Sequence, residues 1–315
     1  MSNGVFVGID TSNYTTSLAL CDEGGVILEN IKLPLDVKSG ECGLRQSDAV
    51  FSHTKNLPEA MRALGRALEG KKILAVGCSS RPRDAEGSYM PCFLCGDAAA
   101  EAISAASGVP KYTFSHQSGH IMAALYSSGA MHLLGAPFAA YHISGGTTEL
   151  VLARYERDRF AVELIGGTKD LNAGQAVDRA GVMMGLKFPC GRELEALAKE
   201  NTKKIPRPKI SVKGMECNLS GLENHAAKIY AESSDKSLVA AFVFDFIART
   251  LISMTESLRE EYPSVPVVFA GGVMSNSIIK ERISEKFDAY FAAPEFSADN
   301  AAGIALLTRL EHMRK

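Results

Sequence analysis

Short apolar runs and stretches of helical periodicity alternate along the chain, and their order occurs twice. Residues 5–9 form an apolar run of strand type that ends in the small polar residues Asp10, Thr11 and Ser12, and residues 16–21 resume as a β-branched run. A third strand is predicted at 26–33, a helix at 49–69 and a buried strand at 73–78. An irregular charged turn from Arg81 to Gly87, an alanine-rich helix at 89–107 and a strand at 110–114 follow. The layout then restarts, with strands at 137–143, 149–155 and 160–164 and helices at 173–185, 192–200, 219–231 and 236–260. A buried strand at 265–269 and closing helices at 277–285 and 300–312 complete it. Two copies of the order β-β-β-α-β-α predict an α/β protein made by duplication, with one lobe at 1–134 and a second at 135–315.

Both copies place small residues with hydroxyl groups in the first turn. In the second copy this is Ser144-Gly145-Gly146-Thr147, and in the first it is Asp10, Ser12 and Asn13 with their threonine neighbours. Glycine lets backbone N–H groups approach an anion, and a hydroxyl adds a donor without bulk, so either turn suits a phosphate. Gly-Gly and Thr-Thr are also ordinary hairpin chemistry. The repetition favours two lobes enclosing a cleft in which the hairpins face each other across a bound nucleotide.

A second candidate is His116-Gln117-Ser118-Gly119-His120 at the start of a predicted helix. Residues four apart share one helical face, so both imidazoles can reach one metal ion. The glutamate of a His-Glu-x-x-His metalloprotease is absent. Asp299 is placed to be a third ligand; capping or structural histidines, and Asp299 as a plain helix N-cap, are the competing reading.

Composition narrows the class. The 315 residues exceed the size of a single core and are 46% hydrophobic, with no stretch of about eighteen uninterrupted apolar residues and no charged leader before the first strand. A soluble, cytoplasmic protein without a membrane is expected. Seven cysteines give no disulfide framework, and the pair Cys92 and Cys95 reads as packing. A net charge of −2 excludes a surface that is basic throughout. Lys203, Lys204, Arg207, Lys209 and Lys213 form a local basic segment, either a solvated connector or an RNA-facing loop.

Taken in order, Gly8-Ile9-Asp10-Thr11-Ser12, the histidine pair, Ser144-Gly145-Gly146, Gly174-Gln175-Ala176-Val177-Asp178, Ser220-Gly221-Leu222, Gly271-Gly272-Val273-Met274-Ser275-Asn276 and Asp299-Asn300-Ala301-Ala302 resemble the TsaD family, once labelled sialoglycoprotein endopeptidases. The resemblance runs from about Gly4 to the last helix. It implies an actin-like, Hsp70-like (ASKHA) ATPase fold with two lobes around a nucleotide cleft. It also implies transfer of a threonylcarbamoyl group from its adenylate to the exocyclic amine of a tRNA adenosine beside the anticodon. By the same resemblance His116, His120 and Asp299 hold iron or zinc. The residues around Ile143, Ser144, Gly145, Gly146 and Thr147 contact the acyl-adenylate or ATP, and Asp178, Gly191 and Asn276 hold its adenosine part. Partners implied are tRNA, an enzyme that makes the adenylate, and small protein subunits.

Departures from the family pattern fall near the chemistry. The consecutive Asp-Glu pair after the first turn is Tyr14 and Thr15, a glutamate is Gln175, paired aspartates are Asp170 and Leu171, a lysine is Glu223, and a glycine-proline-glycine turn is replaced by Arg81 to Gly87. These changes suggest a diverged paralogue. Three readings stand: the transferase itself, a metal- and nucleotide-dependent carbamoyltransferase or ATPase with another acceptor, and a non-catalytic nucleotide-binding partner.

Overall fold

A computed structural model describes residues 3–12, 14–35, 44–157 and 159–314. Asn13, one of the phosphate-hairpin candidates, lies outside the described residues. The chain divides into two compact units, one of residues Met1–Ser127, Tyr155–Ala161 and Ala298–Lys315, the other of Ser128–Arg154 and Val162–Ser297.

Unit 1 contains β1 (Gly4–Thr11), β2 (Thr15–Asp22), β3 (Ile27–Pro34), α1 (Gln46–Ala67), β4 (Lys72–Arg81), α2 (Phe93–Ser107), β5 (Lys111–Ser115) and α3 (His116–Ser127). Unit 2 is built on β6 (Phe138–Ile143), β7 (Thr148–Glu156), β8 (Arg159–Thr168), α4 (Ala173–Met183), α5 (Gly191–Lys199), β9 (Ser211–Lys213), β10 (Glu216–Asn218), α6 (Gly221–Ser233) and α7 (Lys236–Glu261). It continues through β11 (Val267–Ala270), α8 (Ser277–Ser284), β12 (Tyr290–Phe291) and α9 (Pro294–Ser297), and α10 (Ala302–Met313) returns to unit 1.

The sheets carry the duplication. Unit 1 has the strand order β3-β2-β1-β4-β5, and the longer sheet of unit 2 contains β8-β7-β6-β11-β12 in the corresponding places. In each, the first strand pairs antiparallel with the second and parallel with the strand that follows the helix: β1 with β2 and β4, β6 with β7 and β11. Every residue of β1 is buried, because α2 packs on this strand and so does α10. Such a strand reads as a continuous apolar run rather than an alternation.

Three points refine the sequence reading. The boundary between units falls at Ser127/Ser128 rather than at 134/135, and the C-terminal helix joins unit 1, because α10 packs on β1 and crosses α3. That crossing is backbone on backbone: a Cβ on Gly303 would run into the carbonyl oxygen of Gly119. The basic segment is not all loop, since it ends in the hairpin β9–β10, whose second strand pairs with β8, and Lys203 has an acidic partner in Asp235 at 2.7 Å. Finally, α7 is long and apolar enough to cross a membrane by length and composition, but its apolar window is 83% buried. It is the core helix of unit 2, lined by Phe242, Phe244, Phe246 and Leu251.

Asp170, the acid kept from the family's pair, is an anchor. Its carboxylate accepts from the backbone N–H of Leu171 (2.6 Å), of Leu219 (2.8 Å) and of Ser220 (3.2 Å), and from the Ser220 hydroxyl (2.6 Å), tying the end of β8 to the start of α6. Its neighbour Leu171 is apolar because it is buried in the unit 2 core. Partial burial works to raise the Asp170 pKa, and the hydrogen bonds bring it well below its ordinary 3.8. A depressed carboxyl contributes stability above its unfolded value and loses it as pH falls toward the folded value. Asp170→Asn is therefore expected to lower stability by about 1 kcal/mol at neutral pH, the usual worth of a helix-capping group. Urea titrations should show the gap to the parent protein narrowing below about pH 4.

Candidate active site

The candidate metal-ligand residues lie wholly within unit 1. Helix α3 starts at the end of β5, so His116 and His120 stand one turn apart with their Nε2 atoms 2.9 Å from each other. Asp299 precedes α10, and the helix crossing brings its Oδ1 to 3.3 Å from His120 Nε2 and 3.7 Å from His116 Nε2. The residue is not a helix cap. Its Oδ2 accepts from the Ser12 hydroxyl at 2.9 Å, while Asn300 Oδ1 accepts from the Ala302 N–H.

Asp10 stands behind the histidines. Its Oδ1 bonds His116 Nδ1 at 2.9 Å and accepts from the Ser79 hydroxyl, and the residue is fully buried. Burial pulls the His116 pKa down, but the carboxylates of Asp10 and Asp299 outweigh it and raise it to about 9. Burial acts against the charge of Asp10 as well, and His116 turns the balance so that its carboxyl lies below the ordinary range. The Asp299 carboxyl is likewise lowered, by His120, His116 and Ser12 against burial.

This donor set fits a divalent transition metal. One ligand atom each from His116, His120 and Asp299 lies within 4.8 Å of the others. With Nδ1 of His116 held by Asp10, Nε2 is the atom left for a cation, the carboxylate–histidine–metal arrangement of metalloproteins. Two imidazoles and one carboxylate suit iron or zinc. Asp10→Asn should weaken metal affinity by roughly 10- to 100-fold with the fold retained. Competition against a chromophoric chelator measures this, and unchanged affinity would remove Asp10 from the role.

Two supports escaped the sequence reading. The Arg81 to Gly87 turn fastens the first turn of α3: Asp84 Oδ2 accepts from the hydroxyls of Ser115 (2.6 Å) and Ser118 (2.8 Å), and Pro82 O accepts from the Gln117 N–H. Arg81 Nε donates to the other oxygen of Asp84 at 3.0 Å. Second, His53 is buried between Thr16 and Ser12. The Ser12 carbonyl can only accept, so Nε2 carries the proton and Nδ1 accepts from the Thr16 hydroxyl. Asp10 and Ser12 were expected as phosphate-hairpin residues, and their side chains hold the histidine–aspartate cluster together. Cys92 is buried, which pushes its thiol up to about 11 and agrees with a packing role.

The remaining candidates lie in unit 2. Ile143 ends β6 in the core, Ser144 N–H donates to Thr147 O at 2.7 Å, and the Ser144 hydroxyl accepts from the N–H groups of Gly146 and Thr147. Gly145 and Gly146 are exposed, and a Cβ on either would meet nothing within 4 Å. Gly174 at the start of α4 backs the turn, where a Cβ would lie 2.7 Å from Gly145 Cα. The turn thus presents its outer face at a helix N-terminus, an arrangement suited to anions.

Asp178 and Gly191 come together through Cys190, whose N–H donates to Asp178 Oδ1 at 2.8 Å as α5 begins. Burial raises the Asp178 carboxyl. With Phe188, Arg179 and Glu223 it lines a pocket of about 420 Å³. Glu223 pairs with Arg179 at 3.3 Å, which gives the departure from the family lysine a partner. Asn276 caps α8 through the Ile279 N–H, and its buried Nδ2 has no hydrogen-bond partner among the described residues. Gln175 accepts from the Asn172 N–H in the capping box of α4.

The duplicated sheets and crossing helices define an α/β protein of the actin-like, Hsp70-like ATPase fold. Solved structures of that fold resemble the chain: full-length HypF bound to phosphate and nucleotide (TM-score 0.60, 12% identity, 98% of this chain and 46% of that one). The (R)-2-hydroxyglutaryl-CoA dehydratase component A of Acidaminococcus fermentans also matches (TM-score 0.54, 16% identity, 98% and 99%). The family model described as tRNA N6-adenosine threonylcarbamoyltransferase, TsaD, matches residues 29–306, and the chain belongs to this family of transferases. Relatives named tRNA N6-adenosine threonylcarbamoyltransferase include one from Streptococcus equi subsp. equi, 30% identical over 99% of this chain and 93% of its own length. Another, from Lacticaseibacillus casei, is 28% identical over 98% and 92%.

Proposed function

We propose that this protein transfers a threonylcarbamoyl group from threonylcarbamoyl-adenylate to the exocyclic amine of a tRNA adenosine beside the anticodon, and that His116, His120 and Asp299 hold an iron or zinc ion for it. The observation that carries the reading is the convergence of those three ligand atoms within 4.8 Å in a chain of this family. When bound, the ion supplies a Lewis acid and a template for the reacting oxygens. Asp10 keeps His116 in the tautomer that offers Nε2, and Ser12 fixes the second oxygen of Asp299.

In unit 2 the Gly145 and Gly146 turn offers backbone donors to the anionic oxygens of the adenylate. Asp178 accepts from ribose hydroxyls, and the open Nδ2 of Asn276 donates to the adenosine part. In the transfer, the amine nitrogen bonds to the carbamoyl carbon, the bond from that carbon to the phosphate oxygen breaks, and AMP leaves with the electron pair. Tyr14 and Thr15 provide no carboxylate where the family carries its acidic pair, so the leaving phosphate takes the amine proton. A separate enzyme supplies the adenylate, small protein subunits assist, and the reaction belongs in the cytoplasm.

The test is nucleoside mass spectrometry of tRNA from a strain lacking other homologues, with and without this gene. Loss of the modified adenosine on deletion and its return on complementation are expected. Unchanged modification rejects the reading, and metal-dependent turnover of the adenylate with unmodified tRNA points to another acceptor.

A further inference from the structure

We infer that a second pocket on unit 2, away from the glycine turn in sequence, binds the phosphodiester backbone of RNA; this rests on the proposal that the acceptor is a tRNA. The pocket has a volume of about 340 Å³ and is walled by the segment before β9, one face of α7 and the end of α8. Its charged lining consists of Arg207, Arg249, Arg282, Lys286, Glu256 and Glu285.

The arginines are set in place by a buried acid. Asp245 of α7 has a side chain only 4% exposed, and it receives Arg249 Nε at 2.7 Å on one oxygen and Arg282 on the other. Two guanidiniums on one carboxylate leave a surplus positive charge, and each arginine side chain is 39% exposed. A guanidinium has five N–H donors in a fixed fork, so the outward edges remain for a ligand, and phosphate oxygens are what such a fork fits. Arg207 makes no hydrogen bond or ion pair among the described residues. Lys286 is held by Glu256 at 3.0 Å, which leaves Glu285 as the acid that offsets the site.

The positive side does not stop at the pocket. Lys204 and Lys209 flank Arg207 on the same exposed segment. A free phosphate or a mononucleotide fills one pocket, whereas an RNA backbone repeats its phosphates and engages cations in a row. The chain as a whole carries −2, so this field is local and orients a polyanion rather than coating the protein.

The experiment is fluorescence anisotropy of a labelled, unmodified tRNA transcript with the full chain across about 50 to 200 mM salt. The variant Arg207→Ala, Lys209→Ala, Lys286→Ala leaves Asp245 and its two arginines intact. It is expected to bind roughly 10-fold or more weakly, with the slope of log affinity against log salt reduced by about 2 to 3. Lys228→Ala, on an exposed part of α6, should match the parent. Parental affinity and slope in the triple variant overturn the inference, as does a parent protein that binds no tRNA. Displacement of RNA by inorganic phosphate at constant ionic strength assigns the pocket to a small anion and overturns it too. Intact tRNA modification with normal RNA binding by the triple variant removes the pocket alone. Absent modification with binding lost in the triple variant removes the transferase reading alone.

Discussion

The His116→Ala, His120→Ala double variant is expected to purify without stoichiometric metal and to lose transferase turnover by at least about a thousand-fold, the equivalent of about 4 kcal/mol of transition-state stabilisation. Removing both imidazoles leaves Asp10 with the Ser79 hydroxyl and Asp299 with the Ser12 hydroxyl as side-chain donors, and Asp10 is fully buried. A single carboxylate ligand cannot replace the two nitrogens a transition metal prefers. The fold should survive, since the first turn of α3 is held separately by Asp84 through Ser115 and Ser118. Elemental analysis after chelator-free purification, with circular dichroism as the control for folding, measures the effect. Metal retained at the parental level in the double variant sinks the assignment of these residues, whatever the activity.

The second large effect is expected far from any reacting group. Gly303→Val places a side chain against the Gly119 carbonyl, where backbone meets backbone and no flexible side chain can move aside. Overpacking of this kind costs about 1–3 kcal/mol, and a rigid contact belongs at the upper end. Since Asp299 reaches the histidines only because α10 crosses α3 closely, the variant should also lose metal affinity. Gly65→Ala is the control: its site in α1 has nothing within 4 Å, and the helix should be unchanged or stabilised by up to about 1 kcal/mol. Denaturant unfolding and chelator competition separate the two outcomes. A Gly303→Val protein with parental stability and parental metal affinity would show that the crossing does not assemble the site.

Much of this was legible because local chemistry left a pattern. The β-branched runs before and after Asp10 and Ser144 marked hairpins, the repeated element order marked a duplication, and the spacing of His116 and His120 put two imidazoles on one face. Signals also existed for parts that were passed over. Asp84 lies in a polar turn next to Ser115 and Ser118, but only the bend of that turn onto α3 shows what its carboxylate accepts. His53 stands alone in an amphipathic helix, with no neighbour in sequence to suggest that it holds the Ser12 carbonyl. The strands β9, β10 and β12 are too short for periodicity to register; β10 and β12 form on the edges of the longer strands β8 and β11, and β9 pairs in turn with β10.

The sequence by itself determined the α/β class, the duplicated strand order, the family, and which side chains could act as ligands. Those properties follow from the spacing of residues a few positions apart, where helix and strand geometry fix who shares a face. The tertiary structure alone decided that the last helix belongs with the first unit, that Asp299 turns toward the histidines rather than capping α10, and that Asp10 stands behind His116 instead of at an open turn. Each of these joins residues about a hundred or more positions apart, and no local periodicity specifies such a pairing. It is set by which backbones can approach closely, and here by two glycines that let one helix lie against another.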